Sequence, residues 1–333
     1  GRTETDLYVW IFQHRSELAV KTGWDIDLIA AANDFVASQS ERVGSTLGKV
    51  EEKLLGAITP AALAAGPSPG QWRREWLDFR PSDRLFANIL VPISGAPASW
   101  SAVDFALTVA RQEKGQLYGL HVVATPEQVE AGRQVEAEFV ARCRQADIPG
   151  YFSVETGTIS RVIVDRARFA DLVVVHLAHP PGPGPLQRLS SGFRALLHRC
   201  PRPVLTVPGP VNAISRVLVA FDGSPKAQEA LFVSAYLATK VKLELVVLTV
   251  INHTSSGETL AQAKKYLESQ GAAPTLVTET GNVADAILTT AANYACDAIV
   301  MGGYGFQPVL EVVLGSVVDR VLRESPLPLL ICR

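Results

Sequence analysis

Apolar runs and helical spacings alternate along most of this chain. Asp297-Ala298-Ile299-Val300-Met301 is apolar after its first residue, the character of a parallel strand buried on both faces. Arg216-Val217-Leu218-Val219-Ala220-Phe221 reads the same way, and Leu248-Thr249-Val250-Ile251 predicts a further strand. Beyond the last glycines, Val317, Val318, Val321 and Leu322 recur at helical spacing, with Arg320 and Arg323 toward the far end. Strands alternating with helices place the chain in the α/β class.

The same pattern occurs twice. Asn88 to Gly95 aligns with Arg216 to Gly223, and Leu120-His121-Val122-Val123 with Leu248 to Ile251. Glu155-Thr156-Gly157 answers Glu279-Thr280-Gly281, Asp171 to Val175 answers Asp297 to Met301, and Cys200 to Leu205 answers Ser325 to Leu330. Residues 85–210 and 214–333 are therefore expected to be two copies of one domain. Residues 1–84 match neither copy. Their spacing predicts one helix from Asp6 to Lys21 and another within Ile26 to Ile58, where Val43, Leu47, Val50 and Leu54 share a face. Ala62 to Gly70, with its prolines, reads as a linker, and Trp72, Trp76 and Phe79 are expected to anchor it on a domain.

Candidate chemistry concentrates at the end of the second copy. Met301-Gly302-Gly303-Tyr304-Gly305 is followed by nine residues and then Gly315-Ser316. Gly302 to Gly305 turn at the carboxyl end of a predicted strand, where open α/β sheets bind their ligands. Ser316 stands where a helix begins, and amides at such an end attract anions. A residue without Cβ lets a phosphate approach the backbone, although the same glycines also suit plain left-handed turns. After the first strand of this copy comes Asp222-Gly223-Ser224-Pro225, with Ser224 a good N-cap and Pro225 a good first helical residue. Asp222 is placed either to accept hydrogen bonds from a ribose or base, or to shape the loop as an Asx-turn.

With these residues in view, the stretch from Arg216 to Arg333 resembles a universal stress protein domain over its full length. The G-x-x-G, nine-residue gap, G-S signature falls at Gly302, Gly305, Gly315 and Ser316. The resemblance implies ATP or another adenine nucleotide as ligand, with or without a magnesium ion. It implies Asp222 and Val250 at the nucleoside, and Gly302, Gly305, Gly315, Ser316 and the amide of Val317 at the phosphates. For the fold it implies two tandem five-stranded, mostly parallel sheets with helices on both faces, of the adenine-nucleotide alpha-hydrolase-like kind, behind a helical N-terminal segment. Val204 to Val207 would pair with Leu329 to Cys332, making an intramolecular pseudo-dimer; a homodimer is a further expectation. Phe306, Gln307 and Pro308 follow Gly305, where many nucleotide binders carry a basic or polar residue. Backbone amides would then hold the phosphates with little side-chain charge.

The first copy lacks this chemistry. His176 and His179 replace the first two signature glycines, Ser190 the third, and Ser94 stands where Asp222 stands; only Ser191 keeps its hydroxyl position. Prolines in that loop remove amide donors that a phosphate would need. This half is expected to be structural or a different binding surface. His176 and His179 invite a metal reading, but no ligand cluster accompanies them, so no metal is expected and the histidines are read as exposed loop residues.

Composition narrows the function classes. With 31 basic and 33 acidic residues in 333, no overall basic field exists for nucleic acid. The four cysteines, Cys143, Cys200, Cys296 and Cys332, form no CxxC pair and are expected to be buried free thiols. No apolar run approaches the about 18 residues of a membrane span, so a soluble, cytoplasmic protein is expected. Three functions fit: a nucleotide-binding regulator acting on a protein partner yet to be identified; an interaction scaffold without nucleotide, or a regulatory fragment of a larger protein; and a slow ATP hydrolase. The last has no named catalytic residue, because no Walker lysine follows the glycines and no base is placed to activate water.

Overall fold

The computed structural model describes residues 4–24, 26, 30–31, 34, 67–74, 84–182, 191–251, 257–304 and 316–333. Most of the expected helix between Ile26 and Ile58 lies outside the described residues, as do Trp76, Phe79, Gly305 and Gly315.

In the first copy the strands are β1 (Asn88–Pro92), β2 (Gln116–Val123), β3 (Gly150–Thr156), β4 (Leu172–His176) and β5 (Val204–Val207). Those of the second are β6 (Arg216–Ala220), β7 (Glu244–Ile251), β8 (Thr275–Thr280), β9 (Ala298–Gly302) and β10 (Leu329–Cys332). They join into a single ten-stranded sheet ordered β3-β2-β1-β4-β5-β10-β9-β6-β7-β8. Within each copy the pairings are parallel, and only the central seam is antiparallel, with Leu330 opposite Leu205 and Ile331 opposite Val204. Each copy thus covers the other's edge strand, which would otherwise offer unpaired backbone groups.

Successive strand residues feed opposite cores, as the pleat requires. Ile89 and Val91, like Val217 and Val219, pack on one face, whereas Leu90 and Leu218 pack on the other. The first face is covered by α2 (Trp100–Glu113), α3 (Gly132–Gln145), α6 (Pro225–Tyr236) and α7 (Gly257–Ser269). The second is covered by α4 (Ile159–Ala167), α5 (Gly192–Arg199), α8 (Val283–Asn293) and α9 (Val317–Glu324).

Helix α1 (Glu4–Thr22) agrees with the spacing from Asp6 to Lys21 and stops at Gly23, whose φ of +69° suits a residue without Cβ. Just beyond it, Trp24 is buried and its ring centroid lies 4.3 Å from that of Tyr118 on β2. Trp72 is also buried, against Phe232 of α6. The N-terminal region therefore anchors on both copies and on both faces of the sheet.

Candidate functional site

In the second copy, β6 is flanked by β7 on one side and by β9 on the other. Chain order reverses between β6 and β9, the switch point at which doubly wound sheets open a crevice beyond their carboxyl ends. Asp222 follows β6 and Gly302 ends β9, so they stand on the two sides of that point. Val250, buried near the end of β7, completes a row across adjacent strands. Phe221 ties the row together, donating its amide to Leu248 O at 2.9 Å and accepting the Thr249 hydroxyl at 2.9 Å.

Local geometry follows from residue type. Gly223 has a φ of +79°, and the exposed Asp222 accepts the Ser224 amide on Oδ1 at 2.9 Å, an Asx-turn. Ser224 caps α6 by accepting the Ala227 amide at 3.3 Å. Gly302 has a packing reason as well as an electrostatic one. A Cβ there would lie 2.9 Å from Ala227 N and 3.0 Å from Lys226 C, so only glycine lets β9 pass this close to the start of α6. On the other side of the sheet Ser316 caps α9, accepting the Asp319 amide at 3.0 Å. Val317 and Val318 open that helix, and their amides have no intrahelical acceptor. The structure thus brings Asp222, Val250, Gly302, Ser316 and Val317 to one end of the sheet.

A buried polar network lies behind this loop, and sequence reasoning missed it. Lys226, only 6% exposed, gives its ammonium to the Tyr304 carbonyl. The Tyr304 hydroxyl donates to Asp319 Oδ1 at 2.5 Å, and Arg194 of the first copy donates to Asp319 Oδ2. The Arg194 guanidinium also lies 4.2 Å from the Tyr304 ring centroid. His198 of α5 stacks on Tyr304 as well, the ring centroids 4.3 Å apart with only 6° between the planes. Burial, together with Arg194, Arg333 and Lys226, pushes the His198 imidazole down to about 3, so it is uncharged at neutral pH. Lys226, the second residue of α6, thus spends its ammonium on the backbone of the loop. Asp319 gave only a faint signal: an acidic residue in a first helical turn suits the dipole whether or not it is buried.

In the first copy, β4 ends at His176 and α5 begins after Ser191, which accepts the Arg194 amide at 3.2 Å. His176 is half-buried, with Nδ1 3.1 Å from Val207 O, so it is a strand-end residue and not an exposed loop histidine. His179 is exposed. No group of three or more potential metal ligands occurs among the described residues. Burial pushes the Cys143, Cys200 and Cys296 thiols up to about 11, and Cys332 further, so none is a thiolate nucleophile. Among the described residues no helix is long and apolar enough to cross a membrane.

A curated universal stress protein of Synechocystis is 28% identical over 148 residues, covering 44% of this chain and 52% of that protein. The match thus spans about half the length of that relative. Among solved structures, a universal stress protein from Archaeoglobus fulgidus superposes with a TM-score of 0.64 at 20% identity, covering 76% of this chain and 98% of that one. A protein of Pseudomonas aeruginosa described as functionally unknown gives 0.56 at 18% identity, over 75% of this chain and 93% of its own. These two similarities establish the fold. The model of the universal stress protein family matches twice, at residues 86–208 and 213–333, and the chain accordingly belongs to that family as a tandem two-domain member.

Proposed function

We propose that the second copy binds one adenine nucleotide, ATP or a relative with fewer phosphates, and that the chain acts as a nucleotide-responsive regulator. The observation that carries this is the convergence of Asp222, Val250, Gly302 and the Ser316-capped helix start at the switch point of the second copy. Such a crevice suits a nucleoside phosphate: a carboxylate beside a buried valine for the ribose and base, and helix-end amides with a serine hydroxyl for the phosphates. Asp222 uses Oδ1 for its turn, and a carboxylate has further lone pairs to offer a ribose hydroxyl. Gly305 and Gly315 complete the phosphate set by their place in the signature. A magnesium ion, when present, would neutralise phosphate charge.

Binding is proposed without rapid turnover, since the loop sequence supplies no base to activate water. Occupancy acts on a protein partner through differential affinity for two arrangements of the loop. The first copy, with His176 at the strand end and Ser94 in place of Asp222, is assigned no nucleotide. Calorimetric titration with ATP, ADP and AMP in magnesium tests the proposal, with Gly315→Val as the control. Saturation at one nucleotide per chain, lost in the variant, is the expected result. Absence of binding by well-folded wild type would favour the scaffold function instead.

A further inference from the structure

Tyr304 is the one bulky residue in the run Gly302 to Gly305, and it is only 2% exposed. Side chains of three helices hold it. Its carbonyl accepts the Lys226 ammonium of α6, and its hydroxyl donates to Asp319 Oδ1 of α9 at 2.5 Å. Its ring stacks on His198 and lies 4.2 Å from the Arg194 guanidinium, both from α5 of the first copy. The stem of the loop is fixed as well, because the Gly303 amide donates to Cys332 O on β10 at 2.7 Å.

Asp319 joins the two arms of the proposed phosphate site. Its amide donates to Ser316 Oγ at the start of α9, while its carboxylate takes the Tyr304 hydroxyl from the glycine run. A negative charge in the first turn of a helix also offsets the positive end that an anion would use. Arg194 cancels that charge, with its fully buried guanidinium on Asp319 Oδ2. The helix end is thereby left positive for phosphate.

The positions of the pair show why a tandem can do this. Arg194 follows the capping Ser191 by three residues as Asp319 follows the capping Ser316, so equivalent positions of the two copies meet across the seam. Two identical chains related by a twofold axis would bring like residues together there. The arrangement also runs one way. β4 ends at His176 and β9 at Gly302, which puts Ala178 in the place of Tyr304, and a methyl group supplies neither hydroxyl nor ring.

We infer that the first copy is the positioning partner of the proposed nucleotide site: Arg194 and His198 hold Tyr304, Arg194 neutralises Asp319, and the glycine run and the start of α9 are thereby set for a polyphosphate before it arrives. The inference rests on the nucleotide reading of the second copy and gives the degenerate first copy a function within it. Glycine-rich backbone is costly to order, and ordering it beforehand spares that cost at binding. Arg194 acts through Asp319 and Tyr304.

Calorimetric titration of the full chain with ATP and with AMP, in magnesium, tests this. Arg194→Gln keeps a donor for Asp319 and removes the charge; ATP affinity is expected to fall about tenfold and AMP affinity only about twofold, because the effect grows with phosphate charge. Adding Asp319→Asn to that variant removes the uncompensated carboxylate and is expected to restore most of the ATP loss. Tyr304→Phe keeps the ring stack and deletes only the hydroxyl; it is expected to weaken ATP binding about threefold, and it decides the matter should Arg194→Gln fail to fold. ATP and AMP weakened equally, a double variant as weak as Arg194→Gln, or ATP affinity unchanged in the folded variants overturns the positioning role while the nucleotide site stands. Failure of the folded wild type to bind either nucleotide overturns the nucleotide reading, and this role with it.

Discussion

At the scale of single residues, the most informative side chains are those that tie the glycine loop to its surroundings. Asp319 is 1% exposed and carries Arg194 on one oxygen and Tyr304 on the other. A buried carboxylate is tolerated on such terms because both partners donate to it. His198 completes the stack and stays uncharged, which has a consequence for acid stability. Unfolded, its imidazole takes up a proton near 6.5; in the fold it does so only at about 3. Between these values the unfolded chain holds the extra proton, so stability falls as pH drops through that window. His198→Phe keeps an aromatic ring against Tyr304 and removes the proton. Denaturant unfolding between pH 7 and 4.5 is expected to lose stability less steeply in the variant, by up to about 1.4 kcal/mol per pH unit. Equal slopes would show that His198 is not the titrating group. Beyond the faint signal of Asp319 in a first helical turn, this network was not legible in one sequence, because Arg194 and Asp319 lie 125 positions apart and meet only through the seam between the copies.

At the scale of elements, the strands were the most legible part. Runs such as Val217 to Val219 and Ala298 to Met301 are buried on both faces, and a parallel strand covered by helices has no polar side to write into its sequence. Helix starts were also legible, because Ser224 and Ser316 perform the capping their residue type suggests. Gly302 was legible as a turn and not as a contact, since its closeness to Ala227 depends on how α6 packs on β9. The start of α9 carries a testable double duty. Ser316→Ala removes the cap, which costs about 1 kcal/mol and lowers the melting temperature by about 2 °C. The same variant is expected to weaken ATP binding, by loss of the proposed phosphate contact, whereas Ser316→Thr restores both. An unchanged melting temperature in the alanine variant would mean that the cap contributes nothing to α9.

At the scale of the whole molecule, the seam between β5 and β10 turns two open sheets into one. The pseudo-dimer that the resemblance implied is present as a covalent tandem, and its two halves are not equivalent. The second-copy loop rests on first-copy side chains: Tyr304 packs against both Arg194 and His198. The Glu113 carboxyl at the end of α2 likewise receives the Tyr236 hydroxyl of α6 at 2.8 Å, and its burial raises it above the usual carboxylate range. Such contacts are the physical connections through which the proposed nucleotide would have to act on the other copy. The asymmetry itself is the strongest discriminator. Hydrogen exchange read by mass spectrometry, with and without saturating ATP and magnesium, is predicted to slow at Arg216 to Ser224, Leu248 to Ile251 and Gly302 to Val318. The counterpart segments of the first copy, Asn88 to Ala96 and His176 to Gly182, are predicted to exchange at the same rate in both conditions. Exchange unaltered throughout the chain, or protection centred on the first copy, would contradict a nucleotide site in the second.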